Sequence, residues 1–357
     1  MKKNSKAEDK RDNVKITSGS YPKRFVATSH SLHAHNVNEI DKLVHEIIKS
    51  EGVLFSIEGE VGKKVFVCKN QNIFNGIKRY TKSDIANRIY SIFPIHCLNP
   101  YVVLFFRIVR VKFMWDTDFH YKCNDKVMKT AVNTINEFIN CIRKIAKSQK
   151  FKKTINNYKR RLNKNYESLM EHFDKSFDKK NRYQVIRIDL GYRIDVDNPS
   201  LTADEIYEKY CQANEDLKHL LNNKRSKKKI FKEMLVYAWR LEYAQNTGFH
   251  YEMFFFFNRS ETHEDSNIAE TIGEYWNTTI TGGRGLYSNC NDKKNKIKYK
   301  YIDLGMINDD DSKLSEGLKK IAEYLTKTMD YDVRINEPRI KRTFGKGVGT
   351  ESVKKSV

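Results

Sequence analysis

The clearest pattern of apolar and polar positions lies in the second half of the chain. Residues 184–192, QVIRIDLGY, alternate: Ile186, Ile188 and Leu190 point one way, Arg187 and Asp189 the other. A period of two is that of a strand with one buried and one polar face. After Asn198-Pro199, with Ser200 and Thr202 as candidate caps, a helix is expected to about Leu221. The apolar runs Phe231 to Tyr243 and Phe249 to Asn258 flank the turn sequence Gln245-Asn246-Thr247-Gly248 and predict a β-hairpin. Ile268 to Trp276 reads as a helix and Ile297 to Asp303 as a strand. Leu314, Leu318, Ile321, Leu325 and Met329 make the buried stripe of a last helix. The order is strand, helix, strand, strand, helix, strand, helix. It predicts an α+β fold, an antiparallel sheet with helices on one face.

The first half is quieter. Residues 1–20 are polar and without period, as in a flexible arm. The segment NEIDKLVHEII within Val37 to Ile48 has helical spacing, and short strands are expected at Val53 to Glu58 and Lys64 to Lys69. Tyr101 to Phe113 fits either a strand or a buried helix, which periodicity does not separate. The resulting division is an arm (1–20), a smaller N-terminal mixed α/β domain of unknown role (21–140), a basic helical connector (141–183), the sheet domain (184–335) and a basic tail (336–357).

Composition then narrows the function classes. At 357 residues, 39% hydrophobic and 12% aromatic, the chain can build more than one core and is neither disordered nor fibrous. No apolar run approaches the ~20 residues of a membrane span, and none follows the lysines of MKKNSKAEDK. A cytoplasmic protein without a membrane partner is expected. The six cysteines are scattered without a CxxC pair, so buried thiols are expected rather than zinc or disulfides.

Sixty-six Lys and Arg against 45 Asp and Glu leave a net charge of +21, which asks for a polyanion, and nucleic acid is the natural one. From Arg143 to Lys164 there are ten basic residues and no acidic one. Further candidate backbone contacts are the loop Lys224, Arg225, Lys227, Lys228 and Lys229, the segment Lys293 to Lys300, and Arg339 to Lys346 with Arg342. Gly282-Gly283-Arg284-Gly285 reads as a turn, and Trp239 and Trp276 as core. There is no GxxxxGK[ST], so no P-loop helicase is expected in this chain.

The chemistry gathers on the hairpin. His250 and Glu252 share a face of their strand. If the loop has an odd length centred on Asn246, Glu242 lies opposite His250 and Arg240 opposite Glu252. One imidazole and two carboxylates could then hold Mg²⁺ or Mn²⁺. The competing arrangement pairs Glu252 with Arg240 and leaves His250 a plain surface histidine. On the last helix Tyr324 sits at the margin of the apolar stripe, with Lys320 and Lys327 beside it. That is the place of an ordinary boundary residue, but a phenol can also attack a phosphodiester when nearby cations hold the developing charge.

Strand-borne His250-Tyr251-Glu252, the opposed Glu242 and helix-borne YLTK (Tyr324 to Lys327) resemble the signature motifs of HUH-type rolling-circle replication initiators. More closely, RIDLGYR, WRLEYAQNTGFHYEMFFFFN, EYLTK and RTFGKG resemble the inovirus replication-protein-like, or YagK/YfjJ C-terminal, family over about Ile142 to Gly347. The resemblance implies a βαββαβ, RRM- or ferredoxin-like palm. It implies His250, Glu252 and Glu242 as ligands of Mg²⁺ or Mn²⁺, Tyr324 as nucleophile and Lys327 as its electrostatic helper. Arg187 becomes a candidate DNA contact on the polar face of the palm or the partner of Asp189. The implied activity is metal-dependent nicking and joining of single-stranded or origin DNA through a 5′-phosphotyrosine. It would initiate replication of a phage, prophage or plasmid-like element, with helicase and polymerase supplied by a bacterial host. One departure stands out: the second histidine of the usual metal pair is Glu252. The alternative is accordingly a prophage regulator of the same fold that binds DNA without cutting it.

Overall fold

The structure is a computed structural model. It describes residues 30–60, 64–112, 125–177, 183–193, 201–223, 230–231, 234–244, 247–258, 265–292, 295, 305–307, 311–326 and 333–349. The first half is mainly helical: α1 (His30–Lys49), β1 (Phe55–Glu58), β2 (Val65–Cys68), α2 (Gln71–Tyr80), α3 (Ser83–Ile92), β3 (His96–Leu98), α4 (Pro100–Lys112) and α5 (Asp125–Lys147). The ambiguous apolar run is therefore helix α4. Asn99 caps it, its Oδ1 accepting from the Tyr101 amide at 2.8 Å, and Pro100 stands where no amide is needed. Val102, Phe105, Phe106 and Val109 then face a core of Ile40, Val44, Ile73, Ile77, Phe138 and Ile142.

The basic run spans the end of α5 and most of α6 (Gln149–Ser176). Ser148 separates the two helices and caps the second, its Oγ accepting from Phe151 N at 3.2 Å. Arg143 is committed internally. It donates to Ile47 O (3.2 Å), Gly52 O (2.7 Å) and Ser50 Oγ (2.7 Å), serving the carbonyl end of α1. Lys144, Lys147, Lys150, Lys152, Lys153, Lys159, Arg160 and Lys164 are exposed, and the Arg161 side chain lies outside the described residues.

The second half follows as β4 (Tyr183–Tyr192), α7 (Ala203–Asn223), β5 (Met234–Ala244), β6 (Gly248–Asn258), α8 (Asp265–Tyr275) with a π-turn at Trp276–Ile280, β7 (Gly285–Asn289), β8 (Gly305–Ile307), α9 (Asp311–Thr326), β9 (Val333–Ile335) and β10 (Phe344–Val348). Six of these strands form one antiparallel sheet, ordered β10-β5-β6-β4-β7, with β8 also pairing β4. The mixed α+β character and antiparallel pairing match the expectation; the placement of helices does not. Ile186, Ile188, Leu190, Met253 and Phe255 face Ile206 and Leu217 of α7 and Ala269 and Ile272 of α8. Val185, Val236, Phe254 and Phe256 face Leu169 and Phe173 of α6 and Leu314, Leu318, Ile321 and Leu325 of α9. Helices thus cover both faces. The reason is visible in β6, where Phe254 to Phe257 are apolar at successive positions and need cover on each side.

Two strand pairings cross the expected divisions of the chain. The expected basic tail contains β10, an edge strand on β5, with Gly345 opposite Trp239 and Gly347 opposite Tyr237. A Cβ on Gly345 would fall 2.5 Å from the Trp239 ring, which is why glycine recurs in FGKG. The first and second halves are also joined, since β3 pairs with β9 and Asn336 N donates to Ile95 O at 2.7 Å. The expected strand over 297–303 and residues 327–329 of the last helix lie outside the described residues.

Candidate functional site

The β5–β6 register decides the site. Ala244 pairs with Gly248, so Glu242 stands opposite His250 and Arg240 opposite Glu252, the odd-loop arrangement. Strand β4 extends the row, with Asp189 opposite Glu252 and Arg187 opposite Phe254. By strand alternation these side chains share the α6/α9 face with Val185 and Phe256. That face is apolar along one half of the strands and polar along the other. Where the two meet, the last turn of α9 brings Tyr324 over Phe254, ring centroids 6.0 Å apart.

Glu252 is the hub. Its Oε1 accepts from Arg187 Nη2 at 3.0 Å and from the Tyr324 hydroxyl in a short hydrogen bond. Its Oε2 accepts from Arg240 Nε at 3.0 Å and Nη2 at 2.6 Å. Arg187 Nη2 also donates to Tyr324 Oη at 2.7 Å. Arg240 Nη1 donates to the Tyr324 carbonyl at 2.8 Å, fixing the end of the helix to the sheet. The two guanidinium carbons lie 4.5 and 5.0 Å from the centre of the Tyr324 ring, so the phenol sits between two cations. Around this hub, Asp189 takes Arg187 Nε at 3.3 Å and is itself approached by the Cys290 thiol at 3.4 Å. Glu242 pairs with Arg240 Nη2 at 2.7 Å and with His250 Nε2 at 3.3 Å.

Burial sets the protonation states. It pushes the Tyr324 hydroxyl well above its ordinary value; Arg187 and Arg240 oppose this, while Glu252 adds to it. At neutral pH Tyr324 is a phenol and donates to Glu252. Burial also raises Glu252, against the pull of Arg240 and Arg187. For His250 burial favours the neutral ring, but the hydrogen bond and charge of Glu242 outweigh it and the imidazole ends above its ordinary value.

The expected metal ligands are neighbours, yet they do not form a cation site. Both Glu252 oxygens are engaged by guanidiniums and the phenol, and Arg240 Nη2 stands between the carboxylates of Glu252 and Glu242, within 2.6 and 2.7 Å. Among the described residues no three His, Cys, Asp or Glu side chains converge where an ion could sit. The donor set as arranged does not fit Mg²⁺ or Mn²⁺, because a cation already bridges its two carboxylates. The Arg240–Glu252 pairing weighed as the competing arrangement is the one found.

Arg187 is 1% exposed and lies at the centre of the cluster rather than on a DNA-facing surface. Its partnership with Asp189 is present, but Glu252 and Tyr324 are the partners that sequence reasoning missed. The missing signal was the third dimension, since Tyr324 lies 137 positions from Arg187 in the chain. Arg342 is exposed, its guanidinium 5.3 Å above the Trp239 ring. Arg339 is held by Asp204 and Glu337, and Lys346 by the Ser168 carbonyl. Trp239 and Trp276 are core, and Gly282 and Gly283 make a left-handed turn at φ 59° and 88°. Lys327, Lys224, Arg225, Lys227, Lys228, Lys229, Tyr331 and most of the segment 293–300 lie outside the described residues.

Residues 144–347 match the family model of the YagK/YfjJ C-terminal domain. That span covers more than half of the chain and takes in α6, the central sheet up to Gly347 and the Tyr324 cluster, and the chain belongs to this family. The searches of curated proteins and of solved structures gave no match.

Proposed function

We propose that this protein nicks and rejoins single-stranded DNA with Tyr324 as nucleophile, and that it thereby initiates rolling-circle replication of a phage, prophage or plasmid-like element. The observation that carries the reading is the Tyr324 hydroxyl, hydrogen-bonded to a buried carboxylate, Glu252, and a buried guanidinium, Arg187. That pairing offers a proton acceptor and a charge to a phenol attacking phosphorus. Attack forms a 5′-phosphotyrosyl bond and releases a 3′-hydroxyl that can prime synthesis; reversal reseals the strand. The palm is the β4-α7-β5-β6-α8-β7 succession, taken as an RRM-like βαββαβ unit. The exposed lysines of α6 supply a surface suited to the DNA backbone. Host helicase and polymerase act on the primed strand in the bacterial cytoplasm.

The second reading, a DNA-binding regulator that does not cut, is favoured by one observation. Glu252 stands where a second metal-binding histidine is expected, and two arginines clamp it. Incubation with labelled single-stranded DNA tiling the region around this chain's own coding sequence separates the two. A covalent protein–DNA band on a denaturing gel, mapped to Tyr324, supports the nickase. Retention on a native gel with no covalent band supports the regulator.

A further inference from the structure

We infer that the guanidiniums of Arg187 and Arg240 take the role of the divalent cation at this centre, so that strand cleavage by Tyr324 proceeds without a metal ion. The inference deepens the nicking reading and rests on it.

Three observations carry it. First, the two arginines come from β4 and β5, which flank β6 on either side, and both turn their guanidiniums onto the same phenol, 4.5 and 5.0 Å from its ring centre. Arg187 donates to the attacking oxygen at 2.7 Å and Arg240 holds Glu252 and the Tyr324 carbonyl beside it; two cations so placed supply what a metal supplies there, stabilisation of charge that develops on the phosphoryl oxygens. Second, Arg240 occupies the space between the carboxylates that a metal would have to bridge, contacting Glu242 at 2.7 Å and Glu252 at 2.6 Å. An added divalent cation would sit against a buried guanidinium and would have to expel it first. Third, guanidinium groups are planar, permanently charged donors whose fork matches two phosphate oxygens, so they suit the substrate as well as the resident carboxylate. The Glu242 side chain, 33% exposed, is the most open member of the cluster and marks the side from which a phosphodiester enters.

The step balances without a co-reactant. The Tyr324 hydroxyl gives its proton to Glu252 Oε1, and its oxygen forms the new bond to phosphorus. The bond from phosphorus to the 3′ oxygen breaks, and that oxygen leaves with the bonding electron pair. It takes the proton back from Glu252. Arg240, the more open of the two, donates to a non-bridging oxygen, Arg187 stays on Glu252 and Tyr324, and both remain cations throughout. One phosphodiester is exchanged for another.

The test uses the full chain with labelled single-stranded DNA tiling its own coding region. Covalent adduct is measured after exhaustive chelation with EDTA and, in parallel, with added Mn²⁺. The expected result is equal adduct in both arms. Arg240→Gln should lower the initial rate by roughly 100-fold, as loss of one preorganised donor to a developing oxyanion does. Arg240→Lys should recover part of that rate with the same thermal midpoint as Arg240→Gln, so that a folding defect is told apart from lost charge. Adduct that forms only with Mn²⁺ overturns the inference and leaves the nickase reading standing. Adduct in EDTA that is unaffected by Arg240→Gln overturns it too. No adduct in either arm overturns the nickase reading and the inference together.

Discussion

The two faces of the central sheet are built from the same strands and teach different things. On the α7/α8 face, Ile186, Ile188, Leu190, Met253 and Phe255 are apolar along the length of the strands, and the polar contacts there, Tyr192 and Arg284 to Asp216 and Tyr287 to Glu270 and Glu274, run between the strand ends and the covering helices. On the α6/α9 face the apolar run Val185, Val236, Phe254 and Phe256 gives way to Arg187, Asp189, Arg240, Glu252 and His250, still largely covered. Burying such groups costs stability unless every charge is matched, and even then apolar residues of similar volume do as well or better. This face could have been finished in apolar residues and was instead finished in an Arg–Glu–Tyr network, which is why the proposed chemistry is placed here rather than on the opposite face.

The contrast can be broken most sharply at Tyr324. Tyr324→Phe should remove covalent adduct entirely while leaving affinity for single-stranded DNA within about twofold, because the proposal assigns the affinity to exposed basic residues and Tyr324 is buried. An adduct that survives in this variant, seen on a denaturing gel, would remove Tyr324 from the role of nucleophile. On the opposite face, Phe255→Ala should destabilise the fold by about 3–5 kcal/mol through the cavity it leaves, since Phe255 is fully buried. Chemical denaturation measures this, and a loss well under half that size would mean that the face is less tightly packed than described.

A smaller effect is expected on the outer side of α6. Replacing Lys150, Lys152, Lys153 and Lys159 by alanine should leave thermal stability unchanged, as all four are exposed. The slope of log affinity against log salt should fall by about 0.7 for each lysine that meets a phosphate of a single strand. An unchanged slope would place the DNA elsewhere. The smallest effect is the pH dependence contributed by His250. Its imidazole is raised above the ordinary 6.5 despite burial, chiefly by Glu242, so the folded state binds this proton more tightly than the unfolded chain. The resulting stability is fully present below pH 6.5 and is lost as pH rises through the folded value. His250→Gln should therefore be destabilising in acid relative to the native chain and nearly neutral in base, which melting curves across that range would show. The opposite trend would mean that burial, not Glu242, governs the ring.

Much of the second half was legible because its signals are local. Alternation predicted β4, the spacing of Gln245-Asn246-Thr247-Gly248 predicted the hairpin, and the Leu314 to Leu325 stripe predicted α9. The condition placed on the hairpin, an odd loop, is the register found. What was not legible depends on distant contacts. The run of phenylalanines in β6 could not say which helices would cover its second side, and FGKG gave no sign that the presumed tail closes the sheet as β10. Arg187 read as a surface residue because a polar position on a strand normally faces water; only α9 lying across it makes it a buried partner of Tyr324.

The α+β class, the antiparallel hairpin, the basic character and the residue types available to the site are all written in the amino-acid order. Each of these follows from short-range periodicity, turn chemistry or composition. How those types are used depends on packing between distant segments. Whether His250, Glu242 and Glu252 surround a cation or whether Arg240 bridges the carboxylates depends on separations of a few ångströms among side chains on three strands and a helix. Electrostatic pairing at that range favours the cation that the fold holds closest, and here it is Arg240, 2.6 Å from Glu252.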